Sequence, residues 1–220
     1  MDDPFRAERR AMVAQQLRAR GIRDPGVLAV MEEVPRHLFL PPQRWALAYL
    51  DQAVLLQQGQ TLSQPYMVAA MTEALALRPE DRVLEVGTGS GYQAAVLARL
   101  AREVYTVERL PALARSAAEL LDDLGASNVR VRVGDGSLGW PEHAPFDAIL
   151  VTAAAPAVPP ALKAQLSPDG GRLVAPVGDR EVQELVRHLR EGNELVGETL
   201  MGCRFVPLLG EGGWAPPDGE

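Results

Sequence analysis

The sequence predicts an α/β fold: a doubly wound, mostly parallel sheet with helices ahead of it and a hairpin behind. Three observations carry that expectation. From Arg82 onward, short apolar runs alternate with segments of helical spacing. The first of those runs, "DRVLEV", passes straight into a glycine-rich turn and then into the helical "GYQAAVLARLA". The residues before Arg82 carry helix starts and stops instead.

Asp3-Pro4 reads as an N-cap with proline at the first helical position, and Phe5, Met12, Val13 and Leu17 follow until Gly21 stops the helix. Asp24-Pro25 repeats the device, with Val27, Leu28 and Met31 inward and Val34-Pro35 ending the turn. "RHLFLPPQRWALAYLDQ" is apolar, aromatic and broken by proline, which predicts a packed connector. A further helix starts near Pro65 and runs through Met67, Met71, Ala74 and Leu75 to the "RPED" turn.

"DRVLEV", "EVYTVE", "NVRVRV", "FDAILVTAA" and "RLVAPVG" are the expected strands of the parallel part. The helix over 111–124 and the short "PALKAQL" join them. "EVQELVRHLR", the Glu191-Gly192-Asn193 turn and "LVGETLMGCRFVPL" predict the closing hairpin. Such a sheet takes its ligand outside the carboxyl ends of its strands. No internal repeat or linker interrupts the chain, and "GEGGWAPPDGE" reads as a loose tail.

The bulk numbers exclude several functions. At 220 residues, 47% hydrophobic and 23% charged, the chain has the composition of a globule with a sizeable core. A net charge of −7 argues against a general binder of nucleic acid or membrane surfaces, which needs a basic face. Cys203 is the lone cysteine, so no intrachain disulfide forms, which fits a reducing cytoplasm. "MDDPFRAERR" lacks the apolar core of a secretory signal, and no run reaches the roughly 18 apolar residues of a membrane span.

The glycine loop "VLEVGTGSGYQ" points to a nucleotide-like cofactor. Gly87, Gly89 and Gly91 allow a tight turn and close backbone approach, with Thr88 and Ser90 between them. Glu108 closes the second strand, where a carboxylate accepts ribose hydroxyls. The spacing is G-x-G-x-G rather than the dinucleotide G-x-G-x-x-G, and Glu85 stands where a pyrophosphate would meet uncompensated negative charge. S-adenosylmethionine carries no phosphate and presents a cationic sulfonium, which a carboxylate welcomes. Asp135 and Gly136, in "GDG", follow the third strand and are expected at the adenine edge. Three acids at three successive strand ends therefore favour S-adenosylmethionine over NAD.

Upstream lies "GQTLSQPYM", a neutral stretch with hydroxyls and an amide where a loop enters a helix. Taken with "VERL", "GDGSLGW", "PFDAILVTAA", "PVG" and "RFVPL", it resembles the protein-L-isoaspartate O-methyltransferase family, from about Arg9 to Leu208. The glycine loop, "GDG" and "FDAI" are shared by many methyltransferases, whereas "GQTLSQPYM" and "RFVPL" are specific to this family. The resemblance implies a Rossmann-like methyltransferase domain over 1–220. Its parts are a helical region over 1–80 with a substrate loop at 59–67, a cofactor core over 81–178, closing strands over 179–208 and the tail over 209–220.

The resemblance also implies an activity: methyl transfer to the free carboxylate of L-isoaspartyl residues in damaged proteins and peptides, with S-adenosyl-L-homocysteine as co-product. The ester then collapses to a succinimide whose hydrolysis returns some aspartate. Ser63 is implied as the catalytic serine, with Thr61, Leu62, Gln64 and the main chain of Val206 at the substrate. Many relatives carry alanine and histidine where this chain has Gln64 and Tyr66. The expected protein is a cytoplasmic monomer. Two alternatives stand beside it: a methyltransferase for another small or nucleic-acid substrate, and a cofactor-binding adaptor without catalysis. Ser63 as a helix cap, and His37, His143 and His188 as scattered structural residues, are the plain readings of those side chains.

Overall fold

The structure, a computed structural model, describes residues 4–56, 59–192 and 194–215. Its N-terminal part is built from short helices. Helix α1 (Arg6–Met12) continues through a wide turn, Val13–Leu17, and a tight one, Arg18–Arg20, until Gly21 ends it at φ +102°. The start differs from the Asp3-Pro4 reading: Phe5 holds the N-cap position without a side-chain cap, and Asp3 lies outside the described residues. Helix α2 (Pro25–Glu33) starts as expected, with the Val27 N–H donating to Asp24 Oδ1 at 2.9 Å and proline at its first position.

The connector after α2 forms two tight helical turns, Arg36–Phe39 and Pro42–Leu47. A small antiparallel pair follows, β1 (Val54–Leu55) with β2 (Thr61–Leu62), so that part of the expected 59–67 loop is a short strand. Helix α3 (Pro65–Leu75) then leads to the sheet.

The remaining elements alternate as the apolar runs predict: β3 (Arg82–Val86), α4 (Tyr92–Ala98), β4 (Glu103–Glu108), α5 (Pro111–Asp123), β5 (Val129–Val133), β6 (Ala148–Val151), α6 (Pro160–Gln165), β7 (Asp169–Gly178), β8 (Gln183–Glu191) and β9 (Glu194–Cys203). They form a 7-stranded sheet in the order β5-β4-β3-β6-β7-β8-β9. The pairs from β5 across to β7 are parallel, and β8 and β9 close the sheet as the antiparallel hairpin.

Strand alternation divides the core. Leu84, Val86, Ile149 and Leu173 pack on one face with Phe146 and with Leu162 of α6. Val83, Leu150 and Val174 pack on the other with Met71 and Leu75 of α3 and Leu97 of α4. Both faces are covered, which is why these strands read as unbroken apolar runs. Each such side chain contributes about 1.5–3 kcal/mol by leaving water. Met12, Leu17 and Met31 extend the core onto Tyr92 and Val96 of α4. That packing sets the loop between β2 and α3 beside the carboxyl ends of the strands.

Arg172 on β7 donates to the carbonyls of Leu75 at 2.9 Å and Ala76 at 3.3 Å, and pairs with Asp81. Ala76 ends α3 in the left-handed region at φ +46°. A buried ion pair thus clamps the end of α3 to the sheet.

The loose-tail reading is corrected for the residues just after "RFVPL". The Glu211 N–H donates to Asp135 Oδ2 at 2.8 Å, the Gly212 N–H to Ser137 Oγ at 2.9 Å, and the Trp214 N–H returns to the Leu208 carbonyl at 2.8 Å. Paired backbone donors of this kind fix a turn. Residues 216–220 lie outside the described residues.

Candidate active site

At the carboxyl ends of β3, β4 and β6 the sheet opens into a cleft of about 960 Å³, including its open mouth. It lies where the strand order turns about β3, the place such sheets reserve for ligands. Its floor is the glycine loop after β3. Gly87 stands at φ +97°, and a Cβ there would lie 2.4 Å from Thr152 Oγ1, so only glycine fits. The Thr152 hydroxyl bonds the Val86 and Gly87 carbonyls at 2.9 and 2.8 Å and locks that approach.

Glu108, the last residue of β4, turns back onto the loop. Its Oε2 accepts the Gly89 N–H at 2.8 Å and its Oε1 accepts the Leu110 N–H at 2.9 Å. Each oxygen keeps a lone pair for a further donor, such as a sugar hydroxyl. Glu85 lies deeper. The β3–β4 register sets it opposite Thr106, whose hydroxyl donates to Glu85 Oε2 and pairs with the Thr88 hydroxyl at 2.7 Å. Its other oxygen is buried with no partner. Burial pushes the Glu85 carboxyl up to about 8, the Thr106 hydrogen bond opposes the rise and the charge of Glu108 adds to it.

Across the cleft stands the loop after β2. Thr61, Leu62 and Ser63 line it. Gln64, not Ser63, occupies the N-cap position of α3, and no side chain caps that helix. Among the described residues the Ser63 hydroxyl has no hydrogen bond within the protein. Its carbonyl, by contrast, is held by Arg36 Nη2 at 2.6 Å. The outer side of the loop is tied by Gln64 Nε2 to Asp51 Oδ1 at 2.7 Å, and Asp51 pairs with Arg20 at 3.0 Å. The Arg20 guanidinium also stacks 3.6 Å over the Tyr66 ring.

Comparison with known proteins gives the family. The model of the family described as Protein-L-isoaspartate(D-aspartate) O-methyltransferase matches residues 7–213. The chain belongs to that family. Protein-L-isoaspartate O-methyltransferase 2 of Pelobacter propionicus is 57% identical over 208 residues, covering 94% of this chain and 92% of that protein. The Methanoregula boonei protein-L-isoaspartate O-methyltransferase is 56% identical, with 96% and 97% covered. A solved protein-L-isoaspartate O-methyltransferase, 30% identical, superposes with a TM-score of 0.82 over 93% of this chain and 67% of its own. A Plasmodium falciparum member, crystallised with S-adenosyl-L-homocysteine, is 25% identical, with a TM-score of 0.80 over 91% of this chain and 98% of its own.

As a member of the protein-L-isoaspartate O-methyltransferase family, the chain brings most of its sequence-expected site residues to one cleft: Thr61, Leu62 and Ser63 on one side, and Gly87, Thr88, Gly89, Ser90, Glu108 and Gly136 on the other. Val206 borders both. Its carbonyl accepts the Ala154 N–H at 2.8 Å, and no hydrogen bond among the described residues uses its own N–H.

Four expected residues do not line the cleft. Gly91 packs against Ala117 and Leu121 of α5, where a Cβ would lie 3.3 Å from Ala117. Gln64 is turned outward onto Asp51. Glu85 sits beneath the loop, covered by Thr106 and Thr88. Asp135 accepts from the Ser137 N–H at 2.9 Å, the Ser137 hydroxyl at 2.6 Å and the Glu211 N–H. Its carboxylate therefore holds the chain after "RFVPL" in place. Thr152, Gln93 and Tyr92 line the cleft and were not foreseen. Thr152 follows "FDAILV" at a strand end, a signal that could have found it; Tyr92 and Gln93 face inward only because of how α4 lies.

Proposed function

We propose that this protein moves a methyl group from S-adenosylmethionine to the free carboxylate of L-isoaspartyl residues in damaged proteins and peptides. The observation that carries the reading is the uncommitted Ser63 hydroxyl facing the glycine loop and Glu108 across one cleft.

The donor set suits this cofactor. Glu108 offers lone pairs to ribose hydroxyls, the loop 87–90 and Gly136 offer main chain, and Glu85, whose proton burial retains, lies below with one oxygen unpartnered. The Glu108 carboxylate disfavours a pyrophosphate and favours a cation. When bound, S-adenosylmethionine supplies a methyl group on a positively charged sulfur. Asp135 acts one step removed, by setting the wall formed by Leu208 and Leu209.

The protein's own work is positioning. A substrate carboxylate, with a pKa near 4, is already ionised at neutral pH, so no general base is required. His37, His143 and His188 stand outside the cleft lining, consistent with that chemistry. Ser63 Oγ–H and the Val206 N–H are free to donate to the incoming group. Thr61 and Leu62 hold the loop in register through Leu55↔Thr61 and Val54↔Leu62. Orientation and exclusion of water together supply roughly 7–11 kcal/mol of such a barrier. The ester then cyclises to a succinimide without further help, and its hydrolysis returns aspartate in part.

We further propose that the protein works as a cytoplasmic monomer that binds neither nucleic acid nor membranes. Its net charge of −7 supports this, and no helix among the described residues is long and apolar enough to cross a membrane. The direct test is incubation with methyl-labelled cofactor and an isoaspartyl peptide beside its aspartyl twin. Label on the isoaspartyl peptide alone is expected. Label on both indicates a general carboxyl methyltransferase, and cofactor binding without label on either indicates an adaptor.

A further inference from the structure

Arg36 opens the helical turn Arg36–Phe39 and is fully buried. Proteins seldom bury a guanidinium without a carboxylate beside it, because the lost hydration is large and only a counter-charge offsets it. No carboxylate pairs with Arg36 among the described residues. Its Nε donates to the Ala48 carbonyl at 2.7 Å and its Nη2 to the Ser63 carbonyl at 2.6 Å. Its Nη1 is buried with no partner. The guanidinium lies 4.8 Å from the centroid of the Tyr92 ring, and Tyr92 lines the cleft. Burial lowers its pKa to about 10, which leaves it charged at neutral pH.

An uncompensated positive charge is thus fastened to the residue whose hydroxyl faces the cleft. We propose that Arg36 is a positioning residue for the substrate carboxylate: it fixes the Ser63 main chain, and the incoming carboxylate becomes its missing counter-charge. The proposal rests on the methyl-transfer reading above. A cation placed behind Ser63, outside the cleft lining, attracts a carboxylate without pairing directly with the attacking oxygen. The field acts through a low-dielectric interior, where it is screened far less than in water.

The test uses an isoaspartyl peptide and its isoasparaginyl twin, in which a carboxamide replaces the carboxylate at nearly equal size. Binding of each is measured calorimetrically with S-adenosyl-L-homocysteine present, so that nothing turns over. The wild-type protein should bind the acid about tenfold tighter or more than the amide, the scale of one nearby charge at intermediate dielectric. In Arg36→Met that preference should fall toward unity while affinity for the amide changes little. Arg36→Lys should keep most of the preference, since it keeps the charge.

A purely structural role predicts that Arg36→Met weakens both peptides alike and leaves the preference intact, which overturns the proposal. Equal wild-type affinity for acid and amide also overturns it, and needs no variant to fold. Should Arg36→Met not fold, Arg36→Gln decides in the same way. Wild-type protein that methylates isoaspartyl peptide yet shows no acid preference contradicts Arg36 alone, whereas protein that methylates no isoaspartyl peptide contradicts the repair reading itself.

Discussion

Glu108 accepts the Gly89 N–H at 2.8 Å, so the acid that ends β4 and the glycine loop that follows β3 form one unit. The carboxylate shapes the loop before any ribose arrives. Glu108→Ala should therefore weaken S-adenosyl-L-homocysteine binding by more than one lost ligand bond. Charge-assisted hydrogen bonds of about 1.5–3 kcal/mol each imply a loss of at least 10-fold in affinity. Glu108→Gln keeps an acceptor and should fall between. Calorimetric titration measures both, and unchanged affinity in the alanine variant places the ribose elsewhere.

Ser63 does not cap α3; Gln64 stands at that position, and the serine hydroxyl is uncommitted. Ser63→Ala should consequently leave the thermal midpoint unchanged and lower kcat/KM for an isoaspartyl peptide by about 10- to 150-fold, the range of one charge-assisted hydrogen bond of about 1.5–3 kcal/mol. Ser63→Thr retains the hydroxyl but crowds the carboxylate with a methyl group. Full activity in the alanine variant removes Ser63 from the mechanism.

Glu85 gives the ligand-free protein a pH dependence opposite in sign to that of a salt-bridged acid. Its folded pKa is raised to about 8 from 4.5, chiefly by burial. Below 4.5 both states hold the proton and no stability difference arises. Between 4.5 and 8 the unfolded chain releases it and the fold does not, so stability falls as pH rises. The slope approaches about 1.4 kcal/mol per pH unit for one group. Glu85→Gln should flatten that part of the profile in denaturant titrations from pH 5 to 8; an unchanged slope would show the group to be ionised in the fold.

The Asp81–Arg172 pair lies away from the chemistry, with its side chains only 4% and 7% exposed. Arg172→Ala leaves the buried Asp81 carboxylate without its counter-charge, held only by the Arg78 N–H, and removes the side-chain donor from two carbonyls at the end of α3. It should destabilise the fold by about 3–5 kcal/mol. Activity per folded molecule should hold, which separates this effect from that of Ser63→Ala.

The architecture was legible because its signals are local. Apolar runs separated by helical segments announced the sheet, Asp24-Pro25 announced α2, and Gly21 announced the end of the helical stretch from Arg6. The glycine loop and Glu108 were legible for the same reason, since motif and strand end coincide, whereas Ser63 stood out only through the family resemblance. What escaped the reading depends on contacts distant in sequence. Glu85 is withdrawn from the cleft because the β3–β4 register sets Thr106 beside it. Asp135 is occupied because the chain around Glu211 folds back from 76 residues away. Arg36 carries no local sign of full burial, and Gln64 and Tyr66 find meaning only through Asp51 and Arg20.

The central claim is repair, and the most direct measurement follows the peptide rather than the label. An isoaspartyl peptide is incubated for hours with the protein and S-adenosylmethionine, and its aspartyl, isoaspartyl and succinimide forms are resolved by chromatography. The account predicts that the isoaspartyl form declines, succinimide passes through a maximum and the aspartyl form accumulates, only when protein and cofactor are both present. An isoaspartyl level that stays constant with active protein and fresh cofactor would contradict it.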